Sequence, residues 1–179
     1  MHLEPAASAW VRRFAPLVPA GSTVLDLACG GGRHTKLFLD RGNSVVAVDK
    51  NISHLKELEG SPGLTMIEVD LEDGSDFPFA GRQFAGVVVT NYLHRPILGD
   101  IVTAVAPDGV LIYETFAAGN ERFGGPSRPD FLLQPAELLR VVEGHLRVAA
   151  YEDLVSGEPR PAAMQRIAAV NRRAGPVLP

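Results

Sequence analysis

Short apolar runs bounded by Gly, Pro, Asn and Asp alternate along the chain with segments whose apolar residues recur at helical spacing. Several of the runs show no polar alternation, which is typical of strands buried on both faces of a sheet. The runs predict strands at Thr23–Ala28, Ser44–Asp49, Thr65–Val69, Phe84–Thr90 and Gly109–Glu114. The segments between them predict helices at Gly32–Asp40, Ser53–Leu58, Leu98–Val105 and Pro135–Glu143.

The two ends of the chain add a hairpin and a helix to this pattern. Leu146–Leu154 and Ala163–Asn171 are strand-like and are joined by "VSGEPRPA", whose Gly and Pro residues indicate a turn. Ala6–Phe14 predicts a helix that packs against the sheet edge through Trp10 and Phe14. Alternating strands and helices predict an α/β fold with a mostly parallel sheet that ends in an antiparallel hairpin.

Length and composition favour one ordinary globular domain. The 179 residues are 46% hydrophobic and 21% charged, and nothing in the sequence resembles a linker. We therefore expect a single domain over 1–179, with a helical segment at 1–20 and the core at 22–171. The net charge of −4 disfavours nucleic acid and anionic membranes as partners, and it leaves the oligomeric state open.

The cysteine content and the hydropathy of the chain indicate its cellular compartment. The single cysteine, Cys29, excludes an intrachain disulfide and a cysteine-rich zinc site, so no metal is expected. The N-terminus lacks the apolar core of a signal peptide, and no apolar run approaches the roughly 20 residues that span a bilayer. These features predict a cytoplasmic protein without a membrane partner.

Acidic residues stand at or near the ends of the first three predicted strands. Asp26, Asp49 and Asp70 are separated by 23 and then 21 residues, about one strand–helix unit each. Ligands of open α/β sheets bind outside the carboxyl ends of the strands, so we expect the three acids to line one rim. Asp49 suits a ribose diol, Asp70 an exocyclic amine such as that of adenine, and Asp26 an ammonium group. The alternative is that each of them caps a helix or turn.

The segment "VLDLACGGGRHT" narrows the range of ligands that the rim could bind. It lacks the Gly-Lys-Ser/Thr of a nucleoside-triphosphate loop, and Thr35 stands where the dinucleotide pattern requires its last glycine. What remains is an Asp-x-Ala-x-Gly-x-Gly pattern, in which Gly30 and Gly32 let the backbone pass close to a ligand at the helix start. An amino acid joined to ribose and adenine describes S-adenosylmethionine.

These motifs resemble those of the class I S-adenosylmethionine-dependent methyltransferases. "VLDLACGGGRHT" looks like their glycine loop, with Ala28 in place of the usual first glycine, and "VVAVDKN" and "VDLED" look like their ribose and adenine turns. "VVVTNYLHRP" and "DGVLIYETF" are similar to their fourth and fifth strands. "YETFAAGNERFGGPSRPDFLL" resembles a stretch of small bacterial tellurite-resistance-like single-domain methyltransferases.

The resemblance implies a Rossmann-like three-layer sandwich with a seven-stranded sheet, and S-adenosylmethionine as the cofactor. It implies that Gly30 and Gly32 approach the methionine part of the cofactor and that Lys50 flanks the adenine. It also implies that Asn91 and Tyr92 lie beside the sulfonium. The cofactor-binding set is then Asp26, Ala28, Gly30, Gly32, Asp49, Lys50, Asp70, Leu71 and Asn91.

Candidates for the chemistry follow the fourth and fifth strands. His94 is the favoured general base because its ordinary pKa lies near neutrality, unless it only caps or packs at a helix start. Tyr92 is either a wall of the substrate site or an ordinary aromatic residue of the sheet rim. Glu114 either accepts a substrate proton or bonds to loop amides.

Other residues receive simpler interpretations. The Gly/Pro-rich loop Ala117–Pro129 is suited to a lid or a substrate contact. Arg122 and Arg128 of this loop pair with an anionic substrate or are solvated. We interpret Cys29 as structural, and we expect His34, at a helix start, to be exposed.

The predicted function is methyl transfer to an unidentified acceptor, which we expect to be a small molecule because little of the chain lies outside the core. The alternative is a catalytically silent cofactor-binding or partner protein. A nicotinamide-dependent oxidoreductase is disfavoured by Thr35 and by Asp70 as the adenine acceptor.

Overall fold

The computed structural model describes residues 6–157 and 160–172. Seven strands form one sheet in the order β3-β2-β1-β4-β5-β7-β6. The strands are β1 (Thr23–Leu27), β2 (Ser44–Asp49), β3 (Leu64–Glu68), β4 (Phe84–Thr90), β5 (Val105–Phe116), β6 (Arg147–Ser156) and β7 (Ala162–Val170).

The direction of the strands confirms the predicted fold class. Strands β1 to β5 pair in parallel, whereas β7 runs antiparallel to both β5 and β6. The strand order reverses between β1 and β4, which is the topological switch point where open α/β sheets bind ligands outside the strand carboxyl ends. The carboxyl ends of β1, β2 and β4 therefore define the place to look for a site.

Helices cover both faces of the sheet, which gives three layers. The α-helices are α1 (Ala9–Phe14), α2 (Arg33–Asp40), α3 (Leu98–Thr103) and α4 (Glu137–Val142). Short 3-10 helices span Ala15–Leu17, Ile52–Leu58, Arg95–Ile97, Asn120–Arg122 and Pro129–Phe131. One hydrophobic core joins α1, α2 and the 3-10 helix at Ile52–Leu58 to the sheet, and a second core joins α3 and α4 to its other face.

The N-terminal helix does not pack where we expected. Trp10 and Phe14 are buried, but they belong to the core on the face of the sheet rather than to its edge, which β3 and β6 form. The Trp10 indole Nε1 donates a hydrogen bond to the carbonyl of Ile167 in β7 at 3.2 Å. An interior strand therefore holds the helix by accepting the hydrogen bond of the buried indole N–H.

In the parts of the chain that the structure describes, no helix is long and apolar enough to cross a membrane. Over the same residues, no group of three or more His, Cys, Asp or Glu side chains is arranged to hold a metal ion.

Candidate active site

The glycine loop between β1 and α2 needs its glycines for different reasons. Ala28, Gly30 and Gly32 all have positive φ angles, of 52°, 54° and 78°. A Cβ on Gly32 would collide with the Leu55 side chain and lie 2.9 Å from Leu58 Cδ1, whereas a Cβ on Gly30 would meet nothing within 4 Å. Gly32 is therefore required by the packing against Leu55 and Leu58, whereas Gly30 has open space in front of it.

Asp49 joins the end of β2 to this loop. Its Oδ2 accepts a hydrogen bond from the Gly30 amide at 2.9 Å, and its Oδ1 accepts one from the Asn51 amide at 3.0 Å. An ionised carboxylate has about four acceptor positions. The two oxygens thus retain the capacity to accept the paired hydroxyls of a ribose.

Asp70 lies two residues beyond β3, in the turn that begins "VDLED". Its Oδ1 accepts a hydrogen bond from the Glu72 amide at 2.9 Å, which fixes the turn. The half-buried Val69 and Leu71 stand on either side of it. The turn therefore presents a carboxylate between two apolar side chains, which suits a flat heterocycle that carries an amine.

A first cavity of about 240 Å³ collects these groups at the switch point. It brings together Ala28, Asp49, Lys50, Asp70, Leu71 and Asn91 of the predicted cofactor-binding set, and it also contains Tyr92. Val69 and Glu72 complete its lining. Its lining thus combines Ala28 of the left-handed loop, the carboxylate at the end of β2 and the apolar turn after β3.

Asp26 lies behind the loop rather than on the rim. It is 1% exposed, and its Oδ2 accepts a hydrogen bond from Thr35 Oγ1 at 2.6 Å. Burial raises the pKa of this carboxyl to about 6, against the hydrogen bond from Thr35, which lowers it. Our expectation that three acids line one rim is thus wrong for Asp26, which ties β1 to α2; Asp49 and Asp70 do line it.

A second cavity of about 330 Å³ adjoins the first. Glu72, Asn91 and Tyr92 line both cavities and so form the wall between them. The rest of its lining is Leu93, Thr115, Phe116, Pro126 and Phe131. Glu72 was not predicted from the sequence. Its position in "VDLED" was the only indication, and within that segment we assigned a role to Asp70 instead.

Tyr92 occupies the junction of the two cavities. Its hydroxyl is buried and has no hydrogen-bond partner among the described residues. Burial raises its pKa well above the ordinary value, and the nearby carboxylates of Glu72, Asp70 and Asp49 raise it further. Two hydrogen bonds to β5 fix the backbone of Asn91 and Tyr92. The Tyr113 hydroxyl donates to the Tyr92 carbonyl at 2.8 Å, and the Asn91 amide donates to the Glu114 carbonyl at 2.9 Å.

The structure does not bring His94 and Glu114 to either cavity. His94 precedes the 3-10 helix Arg95–Ile97, and it is absent from both linings. The Glu114 carboxylate is 3.1 Å from Arg166 Nε across the β5–β7 pair, and the residue is 4% exposed. The ion pair and the burial leave Glu114 a structural role in the sheet rather than a role in contact with a ligand.

The loop after β5 contributes to the second cavity through Pro126, but not through Arg122 or Arg128. Asn120, 1% exposed, donates through Nδ2 to the Pro126 carbonyl at 2.9 Å and accepts from the Ala163 amide at 3.1 Å. These bonds hold the loop against β7. Arg128 pairs instead with the exposed Asp130 at 3.0 Å.

Arg95 holds the segment that carries Phe131. Its guanidinium donates two hydrogen bonds to the Glu137 carboxylate, at 2.8 and 3.0 Å. It also donates to the carbonyls of Asp130 and Leu132, at 3.0 and 2.9 Å. The residues on both sides of Phe131 are thereby fixed to α4 and to the turn after β4.

Two residues near the loop are buried. Our expectation of an exposed His34 is wrong: it is 1% exposed, because the Ser8 amide donates to its Nε2 at 3.2 Å and Thr90 Oγ1 lies 3.3 Å from its Nδ1. Burial and the nearby Arg33 lower its pKa to about 3. Burial and the charges of Asp26 and Asp49 raise the pKa of Cys29, which agrees with a structural thiol.

Comparison with known proteins bears on this geometry. Residues 24–109 match the family model of a methyltransferase domain. No curated protein matches the chain in sequence. A putative S-adenosylmethionine-dependent methyltransferase from Listeria monocytogenes shares the fold with a TM-score of 0.67 at 14% identity, over 92% of this chain and 98% of that one.

Two further structures have the same fold. TehB from Haemophilus influenzae has a TM-score of 0.74 at 17% identity, over 94% of this chain and 63% of that chain. The glycopeptide N-methyltransferase MtfA, solved with S-adenosylhomocysteine, has a TM-score of 0.63 at 21% identity, over 96% of this chain and 92% of that one. At these identities the likeness establishes the fold.

Residues 24–109 thus match a methyltransferase domain, and the seven-stranded sheet has the fold of the S-adenosylmethionine-dependent methyltransferases to which the chain is similar. TehB and a TehB-like methyltransferase from Corynebacterium glutamicum are among the structures that share this fold, as the resemblance of the motifs led us to expect.

Proposed function

We propose that the protein transfers the methyl group of S-adenosylmethionine to a small-molecule acceptor that binds in the second cavity. The observation that supports this most directly is the shared wall of Glu72, Asn91 and Tyr92. A ligand in the first cavity and a ligand in the second meet at this wall. The second cavity has a volume of about 330 Å³, which falls in the range of small-molecule pockets.

The residues of the first cavity have separate tasks in the proposal. Ala28 and the open side of Gly30 accommodate the methionine part, and Asp49 accepts the ribose hydroxyls. Asp70 accepts from the adenine amine, while Val69 and Leu71 enclose the ring and Lys50 flanks it. S-adenosylmethionine supplies, when bound, a methyl group already activated by its sulfonium.

The chain's own contribution to the reaction is alignment. In-line displacement requires the acceptor atom, the methyl carbon and the sulfur to lie on one line. Asn91 and Tyr92, at the junction, are placed to hold that line. The Asn91 amide donates to the Glu114 carbonyl and the Tyr113 hydroxyl donates to the Tyr92 carbonyl, and both bonds fix the backbone there. We do not retain His94 and Glu114 as groups in contact with the acceptor, because both lie outside the two cavities.

Two assays test the proposal. A thermal-shift panel with S-adenosylmethionine, S-adenosylhomocysteine and NAD should show stabilisation by the first two only; stabilisation by NAD alone would overturn the cofactor assignment. Incubation of the protein and methyl-labelled cofactor with a metabolite extract should then label a small molecule. Cofactor binding without any labelled product would favour the silent binding protein.

A further inference from the structure

The second cavity combines aromatic rings with one carboxylate. Tyr92, Phe116 and Phe131 supply the rings, and Glu72 supplies the charge. No Lys or Arg is present among the described residues that line it. Aromatic faces attract cations through their quadrupole, and a carboxylate adds a direct charge and hydrogen-bond acceptor. This lining selects for a positive group and against an anion.

Two of the cations close to this cavity are already paired. Arg128, whose guanidinium lies 5.3 Å from the centre of the Phe131 ring, forms an ion pair with Asp130. Arg95 is held by Glu137 and by two backbone carbonyls. Since each guanidinium has its own carboxylate partner, neither stands ready to neutralise an anionic acceptor.

Glu72 is placed for contact with an acceptor. Its backbone is fixed by the bond from its amide to Asp70, yet the residue is exposed and lines both cavities. The nearby Tyr92 hydroxyl is buried without a partner among the described residues. Tyr92 therefore contributes its ring, and Glu72 its carboxylate, to the lining of the second cavity.

We propose that the acceptor is an amine on an apolar skeleton, whose ammonium group is held between Glu72 and the rings of Tyr92, Phe116 and Phe131. This inference rests on the proposed function. The apolar skeleton lies against Leu93 and Pro126, the aliphatic side chains of the same cavity.

The ammonium gives one proton to the Glu72 carboxylate, and the freed nitrogen lone pair forms the new N–C bond to the methyl carbon. The C–S bond breaks, its electron pair goes to sulfur, and S-adenosylhomocysteine results. The methylated ammonium leaves, Glu72 releases its proton to water, and the net change is one proton released for each methyl group transferred.

The test uses probes with one skeleton and three head groups: 2-phenylethylamine, 2-phenylethanol and 3-phenylpropionate, followed by a panel of other primary amines with their matched alcohols and acids. Methyl transfer from labelled cofactor is measured with the wild-type protein, Glu72→Gln and the control Asp73→Asn. Asp73 is the adjacent exposed acid of the same turn, and it lines neither cavity.

Methylation of amines alone is the expected result. Glu72→Gln should lower the rate on the order of 100-fold, whereas Asp73→Asn should leave the rate unchanged. Preference for an alcohol or acid, failure to methylate any amine, or wild-type rates in Glu72→Gln would overturn the inference. Binding of S-adenosylhomocysteine by the wild-type protein is measured alongside, and its absence would instead refute the proposed function.

Discussion

The three consecutive glycines of the loop differ in what surrounds them, and this leads to graded predictions. Gly32→Ala places a methyl group against Leu55 and Leu58 at a positive φ, and we expect it to cost about 2–4 kcal/mol of unfolding free energy. Gly30→Ala should cost about 1–2 kcal/mol from its φ alone.

Gly31→Ala is the matched control, since its φ is ordinary and no atom lies within 4 Å of its added Cβ. It should change stability by less than about 0.5 kcal/mol. Urea unfolding of the three variants measures the series. Equal losses at all three positions would show that the packing of Gly32 against the 3-10 helix has been misassigned.

His34 makes the stability of the folded protein depend on pH. Its pKa is about 3 in the folded protein and 6.5 ordinarily, so below pH 6.5 the unfolded chain binds a proton that the folded protein does not. Stability from this residue is present above pH 6.5 and is lost as the pH falls. Asp26, with a folded pKa raised to about 6, acts in the opposite direction over its own range.

We predict that His34→Gln loses less stability than the wild type when the pH is lowered from about 7.5 to about 4.5, by on the order of 2 kcal/mol. Urea midpoints at the two pH values give the comparison. The exposed His145 supplies the control His145→Gln, which should keep the wild-type slope. An unchanged slope in His34→Gln would mean that His34 is not held neutral.

At the scale of elements, Arg95 is predicted to control the mobility of the segment 117–133. Arg95→Lys keeps the charge but loses the two-pronged bond to Glu137 and at least one carbonyl contact. Amide exchange of peptides from 117–133 should therefore accelerate several-fold. Arg128→Lys, which changes only an exposed ion pair, should not accelerate it, and equal exchange in the two variants would contradict the role of Arg95.

The strands could be predicted because each buried run of Val, Ile and Leu is bounded by turn residues, and the observed limits fall within a few residues except at β5. There the structure starts at Val105 and passes through Pro107 and Gly109, which read as a break in the sequence. The predicted helix Ser53–Leu58 is instead a 3-10 helix, Ile52–Leu58, whose start is capped by the Asn51 side chain.

The site was partly predictable for the same reason. Asp49 and Asp70 follow strands, and the rule for parallel sheets places both at the switch point. Glu72 and Asp73 are both exposed acids of one turn, so no local pattern distinguishes the one that lines the cavities. The burial of His34 depends on Ser8, a contact between distant segments that periodicity does not encode.

At the scale of the whole molecule, one sheet carries both hydrophobic cores, and we propose that the chain unfolds as a single domain. Calorimetry should show one transition whose van't Hoff and calorimetric enthalpies agree. S-adenosylhomocysteine at about 100 times its Kd should raise the midpoint temperature of that transition by roughly 5–10 °C. Two transitions, with only one shifted by ligand, would divide the chain into separate units.

Titration calorimetry with S-adenosylhomocysteine tests most directly whether the protein holds a cofactor at the carboxyl ends of β1, β2 and β4. Asp49→Ala removes the proposed ribose acceptor and should weaken binding about 10- to 100-fold. Asp40→Ala removes an exposed acid that pairs with Lys36 on α2 and should bind like the wild type. Failure of the wild type to bind, or equal affinity in Asp49→Ala, would contradict the account.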